Sequence, residues 1–206
     1  MIGPKEKRER ALGERLQLKA DRCQSPKCAV VRKPYPPGVH GPRGKRRRGM
    51  SEFGLQLREK QKFKLSYGID ERTLRRLFEI AKKRSGSTAE KLLELLERRL
   101  DNVVFRVGVA PSRGVARQLI VHGHILVNAE KVRAPGYEVK TGDTIGIRGA
   151  SQTGPFFSSR KESVKKYEPP SWLVLDREKL EGKVLSLPEG TAPPFEISLV
   201  VESFSK

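Results

Sequence analysis

The spacing of apolar residues predicts a series of helices followed by short strands. Ser51 is a candidate N-cap for a helix that continues to about Tyr67, where Gly68 would end it. Asp70 can begin a second helix that extends to about Arg84. Helical spacing assigns four residues to the buried stripe of this second helix: Leu74, Leu77, Phe78 and Ala81.

Two further helical segments follow along the chain. Ser87 and Glu90 have the spacing of a capping box, and apolar residues then recur at helical spacing over 92–104. Ser112 can cap a short helix over 113–122. The first two thirds of the chain are therefore expected to be mainly helical.

After Gly123, which would end the last of these helices, the period of the apolar residues changes to two. Residues 125–127 and 131–133 flank Asn128-Ala129, which predicts a tight hairpin because asparagine tolerates a positive φ. Alanine at position 129 leaves the turn type open. Strands are also expected over 144–147 and 184–187, whereas 195–204 fits either a strand or a helix. The fold class is α+β: a helical N-terminal domain and a small module of helices packed on a short, mostly antiparallel sheet.

Charge narrows the kinds of partner. The 206 residues carry a net charge of +19, and 33% of residues are charged against 36% hydrophobic. Such a balance indicates a polyanionic partner. No apolar run approaches the ~20 residues that would span a bilayer, and the basic N-terminus lacks the apolar core of a signal peptide. We therefore expect no membrane association and a reducing, cytoplasmic compartment.

The positive charge is concentrated in the N-terminal part of the chain. Residues 1–70 carry a net +12, whereas 151–206 hold as many acidic as basic residues. Residues 1–50 combine prolines and the basic run 45–48 without apolar periodicity. A segment of this kind buries too little apolar area to offset its ordering entropy. We expect it to fold only against a partner, with 43–48 disordered in the free protein.

Arg113 and Arg117 lie four residues apart on a face of the predicted helix that differs from its apolar face. Like charges at this spacing destabilise an isolated helix by about 0.2–0.5 kcal/mol, so the pair is understandable if phosphates bind there. Aromatic residues are scarce, at 6%, and do not alternate with basic residues. This composition favours folded RNA, read through backbone and shape, over a single strand bound by base stacking.

Residues 97–148 resemble the RNA-binding module named after small-subunit ribosomal protein four. The resemblance rests on Arg99-Leu100-Asp101, Ser112-Arg113, Ala116-Arg117-Gln118-Leu119, His122-Gly123, Val127-Asn128, Val132 and Gly142-Asp143. It extends along nearly the whole chain to the family of that bacterial ribosomal protein. The further segments that carry it are YPPGVHG (35–41), FGLQLREKQKFKLSYGI (53–69), ERTLRRLF (71–78) and PSWLVLD (170–176).

This resemblance implies a structural protein of the small ribosomal subunit. It implies that the protein binds a junction of several helices in the 5′ domain of 16S rRNA and nucleates assembly of the subunit body. It also implies small-subunit ribosomal protein five, and by extension protein three, as neighbours. A position at the mRNA entry channel and a contribution to translational accuracy follow from the same resemblance, without any small-molecule substrate.

Four domains are expected from the patterns and the resemblance together. They are a basic, loop-rich extension (1–50), a helical rRNA-binding domain (51–96), the RNA-binding module (97–160) and a C-terminal segment that packs back on the body (161–206). The residues expected to contact rRNA are Tyr35, His40, Arg43, Lys45, Arg46, Arg47, Arg48, Arg58, Lys60, Lys62, Arg72, Arg75, Arg76, Ser112, Arg113, Arg117, Gln118, His122, His124, Asn128 and Lys131.

Catalytic alternatives find little support. Pseudouridine synthases use an arginine-leucine-aspartate motif such as Arg99-Leu100-Asp101, but they carry it in a larger domain after the RNA-binding module. Here it lies in a helical run at the start of the module, and we expect Asp101 and Asn102 to form a helix–helix junction instead. The sequence lacks a phosphate-cradling glycine loop and a nucleophile elbow, so no enzymatic activity is expected. A free-standing RNA-binding regulator is the remaining alternative, although such proteins are usually shorter and lack residues 35–84.

Cys23 and Cys28 resemble the second half of a four-cysteine zinc site found in part of the family. The resemblance places Glu6 and Glu9 where zinc-bearing members have their first cysteine pair. A structural zinc needs four ligands, usually thiolate or imidazole, and His40 is a conceivable third. We expect no cofactor here, with the two thiols reduced and at most a remnant of a half-site.

Overall fold

The structure, a computed structural model, describes residues 4–42, 49–188 and 195–205. The basic run expected to be disordered, with Arg43, Lys45, Arg46, Arg47 and Arg48, lies outside these residues. Two compact units are present. One contains the described residues up to 92 together with 195–205, and the other contains the described residues from 93 onward to 188.

Regular elements cover most of both units. The helices are α1 (Lys5–Leu12), α2 (Asp21–Gln24), α3 (Ala29–Arg32), α4 (Glu52–Tyr67), α5 (Glu71–Lys82), α6 (Thr88–Glu97), α7 (Leu100–Arg106), α8 (Arg113–Val121), α9 (Gly149–Gln152), α10 (Pro155–Val164) and α11 (Ile197–Ser205). The strands are β1 (Ile125–Val127), β2 (Glu130–Lys131), β3 (Thr144–Ile147), β4 (Leu173–Asp176) and β5 (Glu181–Val184). The α+β class is confirmed.

The predicted caps form the predicted helix ends. The Ser51 hydroxyl accepts a hydrogen bond from the Gly54 amide at 3.2 Å, and Gly68 ends α4 with a φ of 67°. Asp70 accepts a hydrogen bond from the Thr73 amide at 2.8 Å. The buried residues of α5 are the four that the sequence assigns to its apolar stripe. Local signals therefore suffice for these two helices.

The open choice between strand and helix near the C-terminus is resolved as helix α11, which packs against α4. Aromatic contacts join the C-terminal residues to the rest of the first unit. The Phe195 ring lies 5.1 Å from that of Phe63, and Phe204 stacks on Phe78 at 4.9 Å. Val200 is fully buried. The chain thus returns to complete the core of the first unit.

The N-terminal segment 4–42 contains the three short helices α1, α2 and α3, although its sequence has no apolar periodicity. Polar groups order it. The carboxylate of Glu9, fully buried in α1, accepts hydrogen bonds from the Leu16 and Leu18 amides at 3.0 and 3.2 Å. Arg10 donates to the Tyr35 carbonyl at 3.0 Å and lies over the Tyr35 ring at 5.0 Å. Apolar periodicity does not register contacts of this kind.

The second unit is built on a five-stranded antiparallel sheet in the order β2-β1-β3-β5-β4. Its core is formed by apolar residues of α7 and α8 packed on one face of the sheet. Among the most buried are Val103, Val104, Ala116, Ile120, Ile125 and Ile145. The sheet fixes the position of the loops that follow α7 and α8.

One sequence prediction in this unit is wrong. The strand expected over 184–187 overlaps β5 only at Val184, because β5 pairs with β3 and β4 over the preceding residues. Gly182 permits this pairing, since an added Cβ would lie 2.7 Å from a methyl carbon of Val107.

The expected helix–helix junction is present within the helical spacing over 92–104. Helix α6 ends at Glu97, and Arg99 forms an isolated bridge with Glu138 before α7 begins.

The predicted hairpin is confirmed, and its two-residue turn is strained. Val127 pairs with Glu130, and the two turn residues have positive φ angles, 51° at Asn128 and 67° at Ala129. Positive φ at both positions is the mark of a type I′ turn, which favours glycine at the second position. An L-residue with a side chain is disfavoured in this region by roughly 1–2 kcal/mol. Ala129 therefore carries a local conformational cost.

We expect Ala129→Gly to increase the free energy of unfolding by about 0.5–1 kcal/mol. Relief of the strain exceeds the extra entropy that glycine gives the unfolded chain, about 0.4–1 kcal/mol. Chemical denaturation would measure the change. Ala134→Gly, at an exposed loop alanine without positive φ, is the matched control and should not stabilise. Equal effects of the two substitutions would contradict a strained turn.

Candidate nucleic-acid interface

The basic helix α8 is joined to the start of α7 by a buried carboxylate. Ser112 caps α8 as predicted, accepting a hydrogen bond from the Val115 amide. Arg117 donates to Asp101 Oδ2 at 2.9 Å, and Arg99 bonds both oxygens of the same carboxylate at 3.1 and 2.8 Å. The Asp101 side chain is only 2% exposed, whereas that of Arg117 is 39% exposed. Arg117 thus neutralises a buried charge and also reaches solvent.

A second buried carboxylate acts in the same way one turn away. The Glu97 carboxylate accepts hydrogen bonds from Arg106 at 3.0 Å and from the side-chain nitrogen Nδ2 of Asn102 at 2.7 Å. The side-chain oxygen Oδ1 of Asn102 accepts a hydrogen bond from Arg113 Nε at 2.7 Å. The Arg113 guanidinium lies 4.7 Å from the centre of the Phe105 ring. The orientation of both arginines of α8 is therefore set by side chains of the α6–α7 junction.

The basic residues of α4 are used inside the helical unit. Lys62 is 8% exposed and pairs with Glu14 and Glu59. Burial lowers the pKa of Lys62, but hydrogen bonds to these two glutamates outweigh it and raise the pKa above its ordinary value. Because the folded-state pKa is the higher one, this stabilisation is present below the unfolded-state pKa and is lost as alkaline pH passes the folded-state value.

Lys60 and Arg58 are also engaged by neighbouring groups. Lys60 lies 3.7 Å from the centre of the Phe204 ring and 2.7 Å from a Glu71 oxygen. Arg58 donates to the Leu12 carbonyl and lies 3.6 Å from Glu14. The three α4 cations that the sequence assigns to an RNA-binding surface thus form contacts within the protein.

Helix α5 differs from α4 because its basic residues remain exposed. Arg72, Arg75 and Arg76 lie outside its buried stripe, and their side chains form no hydrogen bond or ion pair within the described residues. Arg72 interacts electrostatically with the Asp70 carboxylate without a direct contact. Glu79 is exposed on the same helix but forms no ion pair in the described part of the chain. Residues 82 and 83 extend the exposed positive charge to the end of the helix.

The remaining predicted contact residues divide into two groups. Some have partners in the protein: Tyr35 with Arg10 as above, His124 with Ser151 Oγ at 2.9 Å, and Asn128 with Asp143 and the Thr144 amide. Others are exposed, and their side chains form no hydrogen bond with any described residue: His40, Gln118, His122 and Lys131.

Sequence reasoning placed Asp101 and Asn102 at a helix junction but did not connect them with Arg113 and Arg117. The sequence shows only that no acidic residue lies between the two arginines. The missed acid lies 16 residues before Arg117, a separation that no helical period detects. Its signal in the sequence is the group of five polar residues between 97 and 102, interrupted only by Leu100, within an otherwise apolar stretch.

Cys23 and Cys28 lie near each other and near the carboxylates of Glu6 and Glu9. Both thiols are buried and free, and Cys23 Sγ accepts a hydrogen bond from the Lys19 amide at 3.3 Å. Burial raises the pKa of the Cys23 thiol. Glu6 pairs with Arg22 at 2.8 Å, and one Glu9 oxygen binds backbone amides while the other, Oε2, has no hydrogen-bond partner among described residues. No three potential metal ligands are suitably grouped in residues 4–42, 49–188 and 195–205.

Comparison with known proteins identifies two families along the chain. Residues 1–97 match the ribosomal protein S4/S9 N-terminal domain, and residues 98–145 match the S4 domain. The second match contains α7, α8 and the hairpin, including both arginines of α8 and their buried partners.

Several full-length relatives share the name small ribosomal subunit protein uS4. The chain is 48% identical to that of Halothermothrix orenii over 196 residues, which is 94% of this chain and 93% of the relative. It is 48% identical to that of Caldicellulosiruptor saccharolyticus and 47% identical to that of Thermus thermophilus. Both alignments cover 100% of this chain and 98% of the relative. The chain therefore belongs to the uS4 family of ribosomal proteins.

Proposed function

We propose that this protein is a structural constituent of the small ribosomal subunit in the cytoplasm. It binds 16S rRNA as an early assembly protein, at the junction of helices in the 5′ domain. The family is structural and non-enzymatic, which agrees with the use of the Asp101 carboxylate in an ion pair. Ribosomal proteins five and three are the proposed neighbours, and a position at the mRNA entry channel is the proposed source of an effect on accuracy.

The observation that carries the proposal is the separation of the basic residues into two groups. The cations of α4 are paired with glutamates, whereas Arg72, Arg75 and Arg76 of α5 are exposed and form no ion pair with a described residue. Arginines held on a rigid helix suit the phosphate backbone of folded RNA, whose contribution to affinity is electrostatic. Arg113 and Arg117 offer a second basic helix, already oriented by Asn102 and Asp101.

We further propose that the protein functions without bound zinc. Of the two carboxylates that would complete the set of ligands, Glu6 pairs with Arg22, and Glu9 accepts hydrogen bonds from two backbone amides through Oε1 alone. The free energy that a zinc ion would contribute to folding is supplied in part by these polar contacts. Metal analysis of the purified chain should find much less than one zinc per molecule, and a chelator should leave its thermal unfolding unchanged. Stoichiometric zinc would refute this.

The triple substitution of Arg72, Arg75 and Arg76 by glutamine tests the exposed row on α5. We expect at least a tenfold loss of affinity for a 5′-domain 16S rRNA transcript. The slope of log affinity against log salt should become shallower by about two units, since each phosphate contact contributes about 0.7–0.9. Filter binding across salt concentrations measures both quantities.

Lys62→Gln is the control for this experiment, because Lys62 is buried. It should lower the free energy of unfolding by roughly 1–3 kcal/mol by leaving two glutamates without their partner, and leave the salt slope unchanged. Failure of the unmodified chain to prefer the transcript over unrelated folded RNA would refute the proposed function. A triple variant with unchanged affinity and slope would instead remove α5 from the interface.

Arg117→Gln should affect both stability and binding. The substitution leaves Asp101 buried with only Arg99 as an ionic partner, so we expect a loss of about 1–2 kcal/mol, reduced from the buried-pair value because Arg117 is partly exposed. Gln118→Ala, at the exposed neighbouring position, should change the stability by less than about 0.5 kcal/mol. Urea denaturation measures stability, and rRNA binding well below the transition measures affinity. Unchanged stability in Arg117→Gln would show that the ion pair with Asp101 is dispensable.

A further inference from the structure

Three exposed cations converge at one end of the sheet in the second unit: Lys131 of β2, Arg133 just after it, and Arg148 just after β3. We call them the sheet-end cluster. The strand register places Lys131 and Gly146 on opposite sides of the same residue of β1, Leu126. At the next step along the sheet, the Arg148 amide donates to the His124 carbonyl at 2.9 Å.

Gly123 shows how closely the cluster is packed. A Cβ at this position would lie 2.2 Å from Lys131 Cε, 3.0 Å from Lys131 Nζ and 3.4 Å from Arg133 Nε. Two cationic side chains therefore meet over one glycine, whose φ of 75° already excludes most other residues. The backbone turn that ends α8 thus also packs against the side chains of Lys131 and Arg133.

No carboxylate neutralises these three side chains within the described part of the chain. Each is exposed, and none forms a hydrogen bond or ion pair through its side chain with a described residue. The pKa of Lys131 is lowered, mainly by the positive charge of Arg133 and to a smaller extent by slight desolvation and by Arg148. This is the expected effect of adjacent positive charges. Arg98 of the same unit, in contrast, has two acidic partners, Glu94 and Glu138.

We propose that Lys131, Arg133 and Arg148 form a binding site for RNA backbone phosphates, separate from the arginines of α8. The inference rests on the proposed rRNA-binding function and adds two residues, Arg133 and Arg148, that sequence reasoning did not assign. Mutual repulsion among the three cations is relieved when phosphates bind between them. The cluster lies on an exposed surface, which suits a phosphodiester chain passing over it.

The test compares two double variants of the full-length chain with the same change in net charge. Arg133→Gln/Arg148→Gln removes two members of the cluster. Lys165→Gln/Lys166→Gln removes two exposed lysines of the same unit, after α10. Their side chains form no hydrogen bond or ion pair with a described residue. Affinity for the 5′-domain transcript is measured for both variants and the unmodified chain between 50 and 300 mM salt, about the range over which counterion release is resolved.

The cluster variant should bind about 10- to 100-fold more weakly, with a salt slope shallower by about 1.4–1.8 units. The control should change affinity less than about threefold, as expected for long-range screening alone. Equal losses in the two variants, or no loss in the cluster variant, would overturn the proposal. Binding of the unmodified chain is measured in the same series, so that failure of the proposed function is seen separately.

Two further measurements complete the test. The first asks whether the cluster binds free phosphate or RNA phosphates, and the second asks whether Lys131 responds to Arg133 and to bound RNA. Inorganic phosphate at about 10 mM should compete no better than chloride at equal ionic strength, because screening is then the same. Specific competition would indicate a free-phosphate site and overturn the RNA assignment. The Lys131 pKa, followed by NMR, should rise in Arg133→Gln and rise in the unmodified chain on RNA binding. A Lys131 pKa unaffected by RNA would also count against the site.

Discussion

The buried carboxylates of Glu97 and Asp101 determine the arrangement of the second unit around its basic helix. Each is at most 2% exposed, so each requires cationic or hydrogen-bonding partners from several positions in the chain. Asp101 brings together Arg99 and Arg117, while Glu97 brings together Asn102 and Arg106. A buried charge accepts few alternative partners, and the start of α7 is therefore fixed relative to α8 by electrostatics as well as by packing.

This arrangement has a consequence for binding. A flexible arginine loses side-chain entropy when it contacts a phosphate, at a cost of up to about 2 kcal/mol. Arg113 and Arg117 are already ordered by Asn102 and Asp101, so part of that cost is met on folding. The negative charge of Asp101 also partly neutralises Arg117 and so weakens its attraction for RNA. The network therefore exchanges some electrostatic attraction for preorganisation, whereas the exposed arginines of α5 keep their full charge and their mobility.

The elements predicted well from the sequence are those with local signals. The caps at Ser51, Asp70 and Ser112, the apolar stripe of α5 and the hairpin around Asn128 each depend on residues within one or two turns. The family resemblance supplied what local patterns could not, namely the fold of residues 97–148 as a unit. The prediction of a strand over 184–187 failed because an apolar pattern can continue past the last residue that finds a partner strand.

The features missed from the sequence share one physical cause, which is that they depend on polar contacts between residues distant along the chain. The segment 4–42 has no apolar period, yet Glu9 and Arg10 order it through backbone groups up to 25 residues away. From the sequence, Lys60 and Lys62 look like RNA-binding residues. In the structure Lys60 forms an ion pair with Glu71, and Lys62 forms ion pairs with Glu14 and Glu59. In a chain with a net charge of +19, the distinction between a structural and a functional cation depends on where the few carboxylates lie in three dimensions. Charge counting identifies the class of partner, and only the folded arrangement of acids shows which basic residues remain available to it.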